Sequence, residues 1–268
     1  MRLAALLVTC AIAIPAAQEN PARLLDETLD MYVRDGYVYY RALRSDRSRL
    51  DRYLASVAAT SLASATREEQ IAFWINAYNA FILRTVIDNY PIRQRSKDYP
   101  PGSIRQIPGA FERTAHRAAG RSLTLDQIEQ TVLAGFGDPR VYLALGRGSA
   151  GGGRLRSEAF QGASLERQLS EVANECATRS QCVEVDRTAN EVRISAIFSW
   201  RQKEFVAAYA DRADKMFASR GPIERAVLAL VWPRLLTTER DFLEKNEFKV
   251  IFRQFDWTLN DLTGRGGR

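Results

Sequence analysis

The segment that most restricts the fold runs from Thr66 to Pro91. In IAFWINAYNAFILRTVI, positions 71, 74, 75, 78, 82 and 86 form an apolar stripe at helical spacing. Phe73, Ala77, Ala80, Phe81 and Leu83 leave little polar surface on the other sides. A helix that is apolar nearly all round belongs in the interior. Thr66 with Glu68 and Glu69 is a start signal and Pro91 a stop, so the pattern predicts a buried helix over residues 67–89. Asn76 and Asn79, three apart on one side, then become buried amides. Leaving a buried amide unpaired costs about 1–3 kcal/mol. Two roles are open to them: tying neighbouring loops to the helix, or facing a ligand.

The rest of the chain has to wrap this helix. Residues 20–34 read as an amphipathic helix through Leu24, Leu25, Leu29 and Met31 to Val33, and a further helix is expected over 46–58. GYVYYRAL at 36–43 is a strand candidate, followed after the central helix by a loop-rich stretch over 91–120. A helix opens near Thr124, and VYLALG at 141–146 suits a buried strand leading into the glycine-rich GRGSAGGGR. Beyond it come a helix at 163–177, a hairpin of strands at 182–186 and 191–195, helices near 200–210 and 222–236, and a strand at 248–253. The fold class is α+β: mostly helical, with a small sheet packed on the buried central helix at about 67–89.

The first residues, MRLAALLVTCAIAIPAAQEN, combine Arg2 with an apolar run from Leu3 to Ala17. That run is short for a membrane-spanning helix, which needs about 20 residues, and reads as a signal peptide over 1–17. Residues 18–263 are expected to form one domain, with 264–268 a flexible tail. The expected location is the periplasm, with secretion or a lipid anchor through Cys10 as alternatives. No transmembrane span is expected after cleavage. In an oxidising compartment Cys176 and Cys182, six apart in NECATRSQC, most simply form a disulfide contributing about 2 kcal/mol.

Composition closes off several functions. With 38 Lys+Arg against 32 Asp+Glu and only five Lys, the basic excess is Arg-rich and dispersed, without the basic, aromatic-interleaved stripe of a nucleic-acid binder. One His, His116, excludes a multi-His metal site within the chain. Neither a metal nor a cofactor is predicted.

FWINAYNAFILRTVIDNYP at 73–91, SIRQI at 103–107, SLTLDQIEQTVL at 122–133, DPRVYLAL at 138–145 and IFSWRQKEF at 197–205 occur in an order that resembles the bacterial branch of the domain-of-unknown-function 547 family, over about 60–210. The resemblance implies His at the positions of Gln130 and Tyr142 and Cys at those of Arg147 and Gly152. If the family hydrolyses through a Cys–His pair, that apparatus is substituted here. The chain then reads as a catalytically degenerate binding or scaffolding domain for an envelope ligand or protein. The alternative is a divergent hydrolase using Glu129 with Ser149 or Tyr142, since a carboxylate can serve as a base. The candidate surface comprises Asn76, Asn79, Glu129, Tyr142, Arg147 and Ser149. Arg147 and Arg154 flank a glycine-rich segment that is either an anion cradle of backbone N–H groups or a mobile connector.

Overall fold

The computed structural model describes residues 21–262, so the expected signal peptide, Cys10 and the tail at 264–268 lie outside the described residues. Arg67–Asn89 is one helix whose start is fixed by a capping box. The Glu69 N–H donates to Thr66 Oγ1 at 3.2 Å, and the Thr66 N–H donates to Glu69 Oε2 at 2.8 Å. From Ile71 to Ile87 nearly every side chain is buried. The helices Tyr40–Ser45, Ser48–Ala59 and Leu165–Thr178 and the helical turn Ile128–Leu133 all pack on it. One hydrophobic core extends from Leu24 to Phe248. About 54% of the described residues are helical and 10% are strand, a mostly helical α+β fold.

The strands form three small sheets. Val33–Arg34 pairs with Tyr37–Val38, and His116–Ala118 with Arg121–Leu123, both antiparallel. The latter hairpin lies on the central helix: the His116 ring stacks on Phe81 at 4.4 Å, and the Arg121 guanidinium sits 5.9 Å from the centre of the Trp74 ring. The third sheet holds Val183–Asp186, Glu191–Ile194 and Lys249–Phe252 in that order. Its first pair is antiparallel, with Val183 opposite Ile194, and its second is parallel, with Ile194 opposite Phe252. This sheet packs mainly on Leu165–Thr178. The Cys176–Cys182 disulfide ties the end of that helix to the start of the sheet.

Two expected strands are different. GYVYYRAL at 36–43 contributes only Tyr37–Val38 to a strand; a helix takes over at Tyr40–Ser45. Its β-forming composition is overridden because the buried Tyr40 hydroxyl bonds Asn260 Oδ1 at 2.7 Å, which draws the chain inward. VYLALG at 141–146 is likewise no strand. Asp138 Oδ1 accepts from the Arg140 N–H at 3.0 Å in an Asx turn just before the short helix Arg140–Leu143. A brief apolar run buried on every side carries no period to tell the two conformations apart.

The two central amides tie loops to the helix. Asn76 Nδ2 donates to the Phe160 carbonyl at 2.8 Å and its Oδ1 accepts from the Phe160 N–H at 2.9 Å. Asn79 Nδ2 donates to the Ala144 carbonyl at 3.1 Å, and its Oδ1 accepts from the Gly146 N–H at 2.9 Å. Each side chain thus replaces a strand partner for a segment that has none. Asn79→Ala strands a buried carbonyl and a buried N–H at once, so it is expected to destabilise the protein by about 2–4 kcal/mol in urea unfolding. A loss below about 1 kcal/mol would show that solvent or a shifted loop satisfies those groups.

His116 supplies a pH dependence. Burial, and then the positive charge of Arg84, lowers its pKa to about 4, with Asp88 opposing. The unfolded chain therefore binds this proton more readily than the folded one. The associated stability is complete above about pH 6.5 and is lost as pH falls toward 4. Between those limits the wild type is expected to lose roughly 2 kcal/mol more than His116→Phe, measured by urea unfolding at a series of pH values. Parallel curves for the two proteins would refute this.

Candidate functional site

The site begins at a second capping box. The Thr124 N–H donates to Gln127 Oε1 at 2.9 Å, and the Gln127 N–H donates to Thr124 Oγ1 at 3.1 Å. The helix so started widens into a π-helical turn over Ile128–Leu133. Widened turns of this kind are common at functional positions because they re-aim a side chain without ending the helix. This turn carries Glu129 toward Arg147.

Arg147 is the unusual residue of the molecule. Its φ is +49°, a left-handed backbone for a non-glycine residue, and its side chain is 2% exposed. Nη2 donates to Glu129 Oε1 at 2.7 Å; Nη1 donates to the carbonyls of Tyr142 at 3.0 Å and Leu145 at 3.2 Å. Burial opposes the guanidinium charge, but the Glu129 carboxylate outweighs it and raises the pKa of Arg147. Glu129 Oε2 accepts from the Tyr78 hydroxyl at 3.2 Å. Burial, reinforced by the charge of Glu129, holds the Tyr78 phenol well above its usual range. Both oxygens of Glu129 are therefore engaged from within the protein.

Glu129, Gln130 and Arg147 line one open cleft of about 290 Å³. Tyr142 borders it through Arg201, whose Nη2 donates to the phenol oxygen at 2.5 Å and whose guanidinium lies 4.0 Å from the ring centre. Burial pushes the Tyr142 phenol up to about 12 despite that arginine. The remaining candidates lie elsewhere. Ser149 and Arg154 face a separate, smaller cavity beside the disulfide. Among the described residues the Ser149 hydroxyl is buried without a partner, and Arg154 pairs with Asp35 at 3.1 Å and Glu175 at 2.9 Å.

The glycine-rich segment is not an open anion cradle. The N–H groups of Ala150, Gly151, Gly152 and Gly153 donate to the carbonyls of Thr258, Asp256, Ser149 and Leu145, so they are not free for an anion. A Cβ at Gly152 or Gly153 would lie 2.2 Å from the Gly146 oxygen or 1.9 Å from the Leu143 oxygen. Glycine stands there because backbone is packed against backbone.

The cleft also holds residues that were not singled out from sequence. Arg105 lies 4.3 Å from the ring centre of Phe111 and 4.5 Å from that of Trp257. Trp200 and Asp126 complete the lining. Arg105 lies within SIRQI, and Trp200 and Arg201 within IFSWRQKEF, so their motif positions were a usable signal. Trp257 comes from the C-terminal segment and offered none. Among the described residues, no group of three or more His, Cys, Asp or Glu side chains could hold a metal ion. No helix among them is long and apolar enough to cross a membrane.

Fold and site together define a mostly helical α+β domain whose motif positions converge on a buried arginine–carboxylate pair. Residues 62–175 match the family described as protein of unknown function, DUF547, which supports that domain family for the segment containing the central helix, Glu129 and Arg147. Comparison with curated proteins and with solved structures gave no match.

The pair makes a sharp energetic prediction. Glu129→Gln leaves the Arg147 charge buried without its counter-ion and is expected to cost about 3–5 kcal/mol in urea unfolding. Combining it with Arg147→Met should recover a large part of that loss. Additive losses in the double variant would mean that the two side chains are not coupled.

Proposed function

We propose that the chain is an exported cell-envelope protein whose domain, spanning residues 18–263, binds a ligand or partner and does not hydrolyse it. The observation that carries this reading is the Arg147 guanidinium, buried and bonded to Glu129 and to two carbonyls at the heart of the motif cleft. A general base must reach the proton it removes, and a nucleophile must lie beside that base. Glu129 is bonded to Arg147 and Tyr78, and Ser149 faces a different cavity. The Tyr142 phenol, raised to about 12, keeps its proton near neutrality. Arg147 and Gly152, at the positions where the family resemblance implies cysteines, carry no thiol. Export is supported by the apolar N-terminal stretch and by the disulfide, a bond that persists in oxidising compartments.

Expression of the full chain in a bacterial host tests both parts. The protein is expected in the periplasmic fraction, shortened by about 17 residues, and without turnover of p-nitrophenyl acetate or a peptide amide above the buffer rate. Retention of the full-length form in the cytoplasm refutes export. Turnover that disappears in Ser149→Ala or Tyr142→Phe, with folding verified by circular dichroism, establishes the divergent hydrolase instead.

A further inference from the structure

The cleft's charges are almost fully matched before any ligand arrives. Arg105 pairs with Glu112, Arg147 with Glu129, and Arg201 with Glu204. The acid left over is Asp126, which makes no ion pair among the described residues; burial, and then the nearby Glu112, raises its pKa. The cleft therefore has no surplus positive charge to hold an anion. Its one leftover carboxylate, Asp126, is not the cluster of acids that a cationic ligand would need. A wholly apolar ligand would bury the Asp126 carboxylate without a partner.

Aromatic rings also line the cleft. Trp200 is 47% exposed, and its ring lies nearly parallel to that of Trp257, at 21° and a centroid distance of 6.1 Å. Phe255 packs against both, 4.7 Å from Trp200 and 4.4 Å from Trp257. These contacts hold the platform firmly while part of the Trp200 surface remains in water. The matching ligand presents an apolar face to the indole and groups at its rim that both donate and accept hydrogen bonds. A pyranose ring does this: its axial C–H bonds make one face apolar, and each hydroxyl is both donor and acceptor.

We infer that this cleft binds a neutral saccharide, stacked on Trp200 and hydrogen-bonded by Asp126 and the rim amide of Gln130. The inference deepens the non-hydrolytic reading of the same cleft and rests on it. The test is intrinsic tryptophan fluorescence of the full chain titrated with chitotetraose, cellotetraose and maltotetraose, with new reducing ends assayed in the same samples. At least one of the three is expected to give a saturable change that is insensitive to salt. Trp200→Ala should weaken that affinity by about tenfold or more, and Asp126→Asn should weaken it as well. Circular dichroism checks that each variant is folded; Asp126→Asn, which keeps the side-chain shape, carries the test if Trp200→Ala is not. No saturable response to any of the three up to about 10 mM, or binding unchanged in the folded variants, overturns the saccharide assignment. New reducing ends would instead overturn the non-hydrolytic reading while leaving the ligand class in place.

Discussion

The loops beside the central helix are held by two amides on a helix whose side chains are nearly all buried from Ile71 to Ile87. A helix buried between Ile71 and Ile87 contributes apolar area all round, yet its own hydrogen bonds are internal and cannot organise the loops beside it. Asn76 and Asn79 do that work. One pairs with Phe160 through both its N–H and its carbonyl; the other grips Ala144 and Gly146 just before the glycine-rich segment. Gly146, so held, leads into the left-handed turn at Arg147 and Gly148, and the guanidinium is directed inward onto Glu129. The site is thus built on the most deeply buried element of the fold.

Placing an arginine at that turn changes what the position can do. Arginine keeps its charge at any ordinary pH and serves as a donor only. Buried against Glu129, it fixes the carboxylate as an acceptor and occupies the space beside it. A buried pair of this kind contributes little net stability, because desolvation offsets the attraction, yet losing one partner is costly. The pair is better understood as a constraint on local geometry than as a source of stability. Beyond it, the aromatic surface of Trp200, Phe255 and Trp257 joins a C-terminal segment to the edge of the motif region. The cleft therefore draws on residues outside the 62–175 family match.

Much of the helical framework was legible because its signals are local. Thr66 with Glu69, the cap near Thr124 and the period of Leu24, Leu25 and Leu29 each act within a few residues. The hairpin of Val183–Asp186 and Glu191–Ile194 and the 176–182 disulfide are also short-range features. Residues 141–146 read as a strand but begin as a helix, because a short run buried on all sides has no solvent face to set a period. In the site, Glu129, Gln130 and Arg147 do share a cleft, whereas Ser149, two residues beyond Arg147, turns into another cavity. No spacing rule shows that, since the left-handed backbone at 147 and 148 reverses the direction of the chain.

By itself, the sequence determined that one helix must be buried and that its two amides must find partners, because apolar surface and unpaired polar groups carry their energetic cost wherever the chain goes. It also determined where most helices begin, through side chains that cap them locally. Only the tertiary structure decided which carbonyls those amides hold, that Arg147 turns inward to Glu129, and that Trp200 and Trp257 meet across 57 residues of sequence. Those outcomes depend on long-range packing and on backbone conformations forced by neighbouring elements, and such constraints exist only once the chain has closed around its central helix.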